Sequence, residues 1–111
     1  MKNVNKEIKI LSNTIENYFL LCEKITWALE AENTNKYGDD FIKQLKLMGK
    51  NLKDHSLNFY NNIKPSTVLI KKNLKELYEN IDEIDEHIDD LDFIYFRLKN
   101  NENEKYINTL C

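Results

Sequence analysis

Two glycines and one proline leave this chain of 111 residues almost without the residues that punctuate a fold. Tight hairpins, phosphate-cradling loops and nucleophile elbows all need glycine at set places, and only Gly38 and Gly49 are on offer. Arginine is nearly missing as well: Arg97 is the one instance in a composition heavy in Asn, Ile and Lys. The longest apolar run, Tyr18 to Cys22, is far short of the ~20 residues that span a bilayer. The start, MKNVNKEIKILSN, is broken by charge before a signal-peptide core develops, and neither a myristoylation nor a prenylation pattern is visible. Cys22 and Cys111 show no C-x-x-C and no metal-ligand spacing, so a disulfide is not suggested and reducing surroundings are expected. The expectation is one mostly helical, cytoplasmic domain without membrane insertion.

What the chain does have is an apolar seam running through four heptads. Leu74, Ile81, Ile88 and Tyr95 fill the a positions, and Leu77, Ile84, Leu91 and Leu98 the d positions, with acids and amides between them. Alternating steps of three and four let a helix bury one narrow stripe against another helix. At ~1.5 Å per residue the seam is roughly 37 Å long, so its natural partner is another long helix. Ile8, Ile15, Cys22 and Leu29 with Val4, Leu11, Tyr18 and Ile25 repeat the pattern near the start. Phe19, Leu21, Trp27 and Ala28 widen that stripe, which predicts that the first helix touches two neighbours and that Trp27 is a packing residue. In the middle, Phe41, Leu45, Met48, Leu52 and Phe59 share a face, with His55 at the remaining seam position.

Helices are predicted near residues 3–32, 39–63 and 66–100, followed by a polar tail over 101–111 in which Tyr106, Ile107 and Leu110 could make one last contact. The first should fade around Asn33, Thr34 and Asn35, and Gly38 with Asp39 and Asp40 supplies a stop followed by an N-cap. Pro65 marks a kink or break before Ser66 and Thr67. The fold class is all-α: two or three long amphipathic helices forming an extended coiled-coil hairpin or rod.

The net charge of -3 argues against a nucleic-acid binder. Its distribution is uneven: residues 36–73 carry eight Lys against three Asp, and residues 74–99 carry nine carboxylates against three cations. The e positions Asp85 and Asp92 are acidic, while Asn73, Asn80, His87 and Ile94 at g supply no lysine. The seam therefore calls for a basic partner helix, or for the chain's own basic second helix folding back on it. Glu83, His87 and Asp90 sit one turn apart and read as a solvated face, as a calcium loop would need a turn glycine. The stripe Lys43, Lys46, Lys50 and Lys53 reads as an ordinary solvated face before it reads as a site for anionic membrane or an acidic partner. No catalytic, metal or cofactor residues stand out, so the chain is expected to be no enzyme.

The order Asn51-Leu52-Lys53-Asp54, an aromatic pair at Phe59–Tyr60, Pro65, then Ile81-x-x-Ile84-Asp85-Glu86-x-Ile88-x-x-Leu91-Asp92-x-x-x-Phe96-Arg97-Leu98 resembles subunit 2 of the biogenesis of lysosome-related organelles complex. The resemblance covers roughly residues 37–99; this chain has several extra residues between Pro65 and Ile81 and reads Asp where that family often has Glu. It implies a coiled-coil scaffold subunit of a hetero-oligomer in endosomal and lysosomal trafficking and lysosome positioning, cytoplasmic and peripheral on those membranes through the complex, with other small helical subunits as partners. The residues expected to meet partner helices are the eight of the third seam, with Ile8, Leu11, Ile15, Tyr18, Ile25, Leu45, Met48 and Leu52. The alternatives are a self-contained three-helix bundle acting as a small binding or regulatory module, and a subunit of a kinetochore or tethering complex.

Overall fold

The computed structural model describes residues 4–32, 38–63 and 67–110, over 101–110 as backbone alone. It is built of α1 (Val4–Glu32), α2 (Asp39–Asn61) and α3 (Val68–Leu110). No strand occurs among the described residues. The expected breaks at Asn33–Asn35 and at Pro65 with Ser66 lie outside them, as does Cys111.

The helix ends follow from local chemistry. Thr67 Oγ1 accepts a hydrogen bond from the Ile70 N–H at 3.1 Å and so caps the start of α3. Gly38, in extended backbone, holds the N-cap of α2 without a side-chain bond. Asp39 and Asp40 then place negative charge in the first turn, where the helix dipole favours it. The cap was expected from an aspartate, but those carboxylates lie one position too far along. At the other end of α2 the Asn62 N–H turns back to the Phe59 carbonyl oxygen and the Ile63 N–H to that of Tyr60.

The polar stretch 101–110 is helix, where a tail was expected. Glu102, Glu104 and Lys105 are good helix formers and neither glycine nor proline intervenes, so α3 propagates to Leu110. The expected last contacts of Tyr106, Ile107 and Leu110 belong to side chains outside the description.

Contacts at fixed register define the topology. Asn5 meets Asn73 and Ser12 meets Asn80, each pair 68 positions apart, so α1 and α3 run parallel. Along α2 and α3 the pairs run in opposite senses: Tyr60 with Tyr78, Lys53 with Asp85, Lys46 with Asp92, Asp39 with Lys99. The chain thus goes up, down and up, with α2 carrying it back between two parallel helices. The bundle is long and thin, 67 × 21 × 16 Å with a radius of gyration of 18.3 Å. Its long axis matches α3, whose 43 residues span roughly 65 Å. The extended shape read from the sequence is present, and it is reached within one chain.

One continuous core fills the space between the helices. It holds all eight α3 seam residues, the α1 residues Ile8, Ile15, Tyr18, Phe19, Cys22, Ile25 and Leu29, and Ile42 and Leu45 from α2. As expected, α1 touches two neighbours, packing mainly on α3 and lightly on α2. On α2 the inward face is turned by one residue from the expected one. Ile42, Leu45, Gly49 and Ser56 are buried, while Phe41, Met48 and His55 lie exposed beside them. Trp27 is 66% exposed and is not a packing residue, because it falls on the outer side of α1 with Leu20 one heptad before it.

Gly49 explains how α2 docks. A Cβ there would collide with the Tyr18 hydroxyl and come within 2.9 Å of Ile88 Cδ1. The missing side chain makes the socket into which the Tyr18 ring fits. The Tyr18 hydroxyl donates to the Leu45 carbonyl oxygen at 2.7 Å, the oxygen that also accepts the Gly49 N–H in the helical ladder.

Candidate functional site

The α3 seam is the feature expected to meet another protein, and it is covered by the chain's own helices. Leu77, Ile84 and Leu91 are fully buried, and Leu74, Ile81, Ile88, Tyr95 and Leu98 nearly so. Ile8, Ile15, Tyr18, Ile25 and Leu45 are buried against them, Leu11 and Leu52 are half-buried, and Met48 is exposed. Of the residues expected at a partner interface, Met48 is open, Leu11 and Leu52 keep part of their surface at the α1/α2 edge, and the others are buried inside the bundle.

Both flanks of the seam are matched at heptad intervals. On the e side, Asp85 and Asp92 pair with Lys53 and, at 2.9 Å, with Lys46 of α2. The ladder ends with its charges exchanged, Lys99 of α3 lying 3.2 Å from Asp39 of α2. Asp39 also accepts a hydrogen bond from the Tyr95 hydroxyl, which with Lys99 holds its carboxyl below the usual carboxylate range. The hydrogen bond to Asp85, strengthened by the negative charges nearby, raises the Lys53 ammonium above the usual lysine range. Of the two sources of lysine considered for the acidic flank, the basic second helix is the one the fold uses.

On the g side the rungs are polar or aromatic. Asn73 donates to Asn5 and Asn80 to Ser12 Oγ at 2.8 Å. One heptad on, His87 stacks on Phe19 with ring centroids 4.0 Å apart and planes 7° from parallel. Its Nδ1–H donates to the Glu83 carbonyl oxygen at 3.0 Å. The imidazole is a flat packing surface in this setting. His55 lies exposed at the edge of a shallow groove of ≈ 320 Å³ between α1 and α2, with Glu7, Ile10, Leu11, Thr14 and Phe59. Among the described residues no group of three or more His, Cys, Asp or Glu side chains is placed to hold a metal ion.

Cys22, the one cysteine among the described residues, is buried one turn from Tyr18. Burial raises its thiol pKa, although the hydrogen bond with Tyr18 acts the other way. A thiol so placed is poorly ionised and inert. Burial likewise pushes the Tyr18 phenol far above its ordinary range. Of the lysine stripe, Lys46 and Lys53 are engaged with α3, and Lys43 and Lys50 are exposed. No described helix is long and apolar enough to cross a membrane.

Sequence reasoning missed two things at this site. Gly49 and Ser56 are core positions of α2 but carry no apolar signal. The exposed outer residues Leu20, Trp27, Phe93 and Phe96 belong to no seam, and only their place at f and b positions of the heptads could have marked them as outward. No family model, curated protein or solved structure matches this chain.

Proposed function

We propose that the chain is a non-catalytic, self-contained three-helix bundle that works as a small binding module, docking to other proteins through its outer surface. The observation that carries this reading is the covering of the α3 seam by α1 and α2, with Asp85 and Asp92 paired to α2 on one flank and Asn73, Asn80 and His87 partnered by α1 on the other. A helix whose seam is already filled has no need of a partner's helix to fold. Large apolar side chains nonetheless remain outside, among them Trp27 at 66%, Phe93 at 66% and Phe96 at 64% exposure. Light scattering and solution X-ray scattering on the purified chain test the reading. A folded monomer with a radius of gyration near 18.3 Å supports it; a chain that is unfolded until a partner is added overturns it.

A second reading, a scaffold subunit of an endosome–lysosome trafficking complex, rests on the resemblance carried by NLKD and by the heptad run ending in Phe96-Arg97-Leu98. In its seam-sharing form it requires α3 to exchange α1 and α2 for helices of other subunits. The elongated shape suits either version. Purification from the native cell with identification of co-eluting chains distinguishes them, and a defined set of small helical subunits would favour the second.

A further inference from the structure

The outer edge of the α1/α3 pair carries an unmatched set of charges. Glu30 of α1 and Arg97 of α3 form an ion pair at 3.5 Å. Because α1 and α3 are parallel at constant register, the same rung recurs one and two heptads earlier. At that register Glu23 falls level with Asp90, and Glu16 level with Glu83, on the facing edges of the two helices. All four carboxylates are exposed and form no ion pair among the described residues. Two consecutive rungs therefore set acid against acid where the third sets acid against base. Like charges at facing positions destabilise a helix pair.

Beside these rungs the face is apolar. Leu20 and Trp27 lie one heptad apart on the outer side of α1, 53% and 66% exposed. Phe93 lies on the outer side of α3, with the Arg97 guanidinium 5.9 Å from its ring centroid. Arg97 is thereby held by Glu30 and Phe93 at the end of the ladder.

From this we infer that the outer α1/α3 face, with the Glu16/Glu83 and Glu23/Asp90 rungs and the exposed Trp27 and Phe93, docks a basic amphipathic helix of a partner protein. Two of that helix's Lys or Arg residues, one heptad apart, would each sit across one acid–acid rung. Its apolar side would cover Trp27 and Phe93. Charge complementarity selects the occupant: an anionic membrane or a nucleic acid would be repelled, and a second copy would bring the same carboxylates to the face. The inference rests on the reading of the chain as a docking module and gives that module a partner chemistry.

The test uses the full chain, first shown to be folded and monomeric, so that failure of the module reading is seen before any peptide is added. The probe is a synthetic amphipathic helical peptide with Lys seven residues apart beside a Leu face, and its control carries Glu in place of Lys. Calorimetry should show the Lys peptide binding in a salt-sensitive way and the Glu peptide not binding. The double variant Glu23→Gln with Asp90→Asn should bind about tenfold more weakly. It should also melt at a higher temperature than the parent, because the repulsion is removed. Trp27→Ser should weaken binding with no change in the fold, whereas Ile10→Ser with Met48→Ser, on the α1/α2 side, should leave it intact.

Equal binding by the charge variant overturns the proposal, as does loss of binding in the Ile10/Met48 variant alone. So does a doubling of mass on concentration that the Trp27 variant abolishes, which would make the occupant a second copy. Thermal stabilisation by a divalent cation that the peptide cannot displace would assign the rungs to a metal ion, with the same consequence.

Discussion

Gly49 and Ser56 show how two unassuming residues set the approach of α2. Gly49→Ala gains about 1 kcal/mol of helix propensity. It also drives a methyl group into the Tyr18 ring and the Ile88 side chain, and overpacking of that kind costs about 1–3 kcal/mol. The expected outcome is a net loss of stability in chemical denaturation and a weakened α2. Ser56 behaves in the opposite sense. Its Oγ is buried with no hydrogen-bond partner among the described residues, so Ser56→Ala removes an unsatisfied group and should raise stability by about 1 kcal/mol. Cys22 gives a third measurement. In a Cys111→Ser background, alkylation of Cys22 should be slow under native conditions and fast in denaturant, tracking the opening of the core.

At the level of the helix, the legibility of the sequence varied with how each core position was filled. The α3 seam was readable because all eight of its a and d positions are Leu, Ile or Tyr, and every one is buried. The α1 stripe is readable for the same reason, except that Leu21 and Trp27, which hydrophobicity adds to it, are exposed. The α2 face was misplaced by one residue. Its true row, Ile42, Gly49 and Ser56, carries one apolar side chain, while the adjacent row carries Phe41 and Met48, so hydrophobicity pointed to the wrong neighbour. The charge pattern was the better guide, since Asp85 and Asp92 called for lysine and α2 supplies Lys53 and Lys46. The g-side rungs Asn5–Asn73 and Phe19–His87 could not be read, because pairing across 68 residues has no local trace.

The same ladder gives α2 its response to solution conditions. Exposed pairs of this kind are weak and screened by salt, so raised ionic strength should loosen α2 before α1 and α3, as hydrogen exchange would show. Asp39 has its folded pKa lowered, so its contribution is present above the ordinary carboxylate pKa of about 4 and disappears as pH falls through the lowered value. Asp39→Asn should therefore lower the melting temperature at neutral pH and flatten its decline in acid. On the alkaline side the raised pKa values of Tyr18 and Lys53 act together. Their contributions are full below about pH 10 and are lost as pH rises further.

For the whole molecule the decisive question is who covers α3. Ile84→Lys puts a charge at a fully buried position. In a self-contained bundle it should unfold the purified chain, since a buried unpaired charge removes several kcal/mol from a total of about 5–15. If the seam instead served other subunits, the purified parent chain would already lack a stable fold, and the substitution would leave its circular dichroism unchanged. The two outcomes are distinguishable without knowing any partner.

The solitary indole of this protein already stands mostly in water. Its intrinsic emission should therefore change little when the helices melt, and a fluorescence trace read alone would suggest a chain with nothing to unfold. The same indole would respond at once to a body settling on its side of the bundle, which makes it a built-in reporter of company.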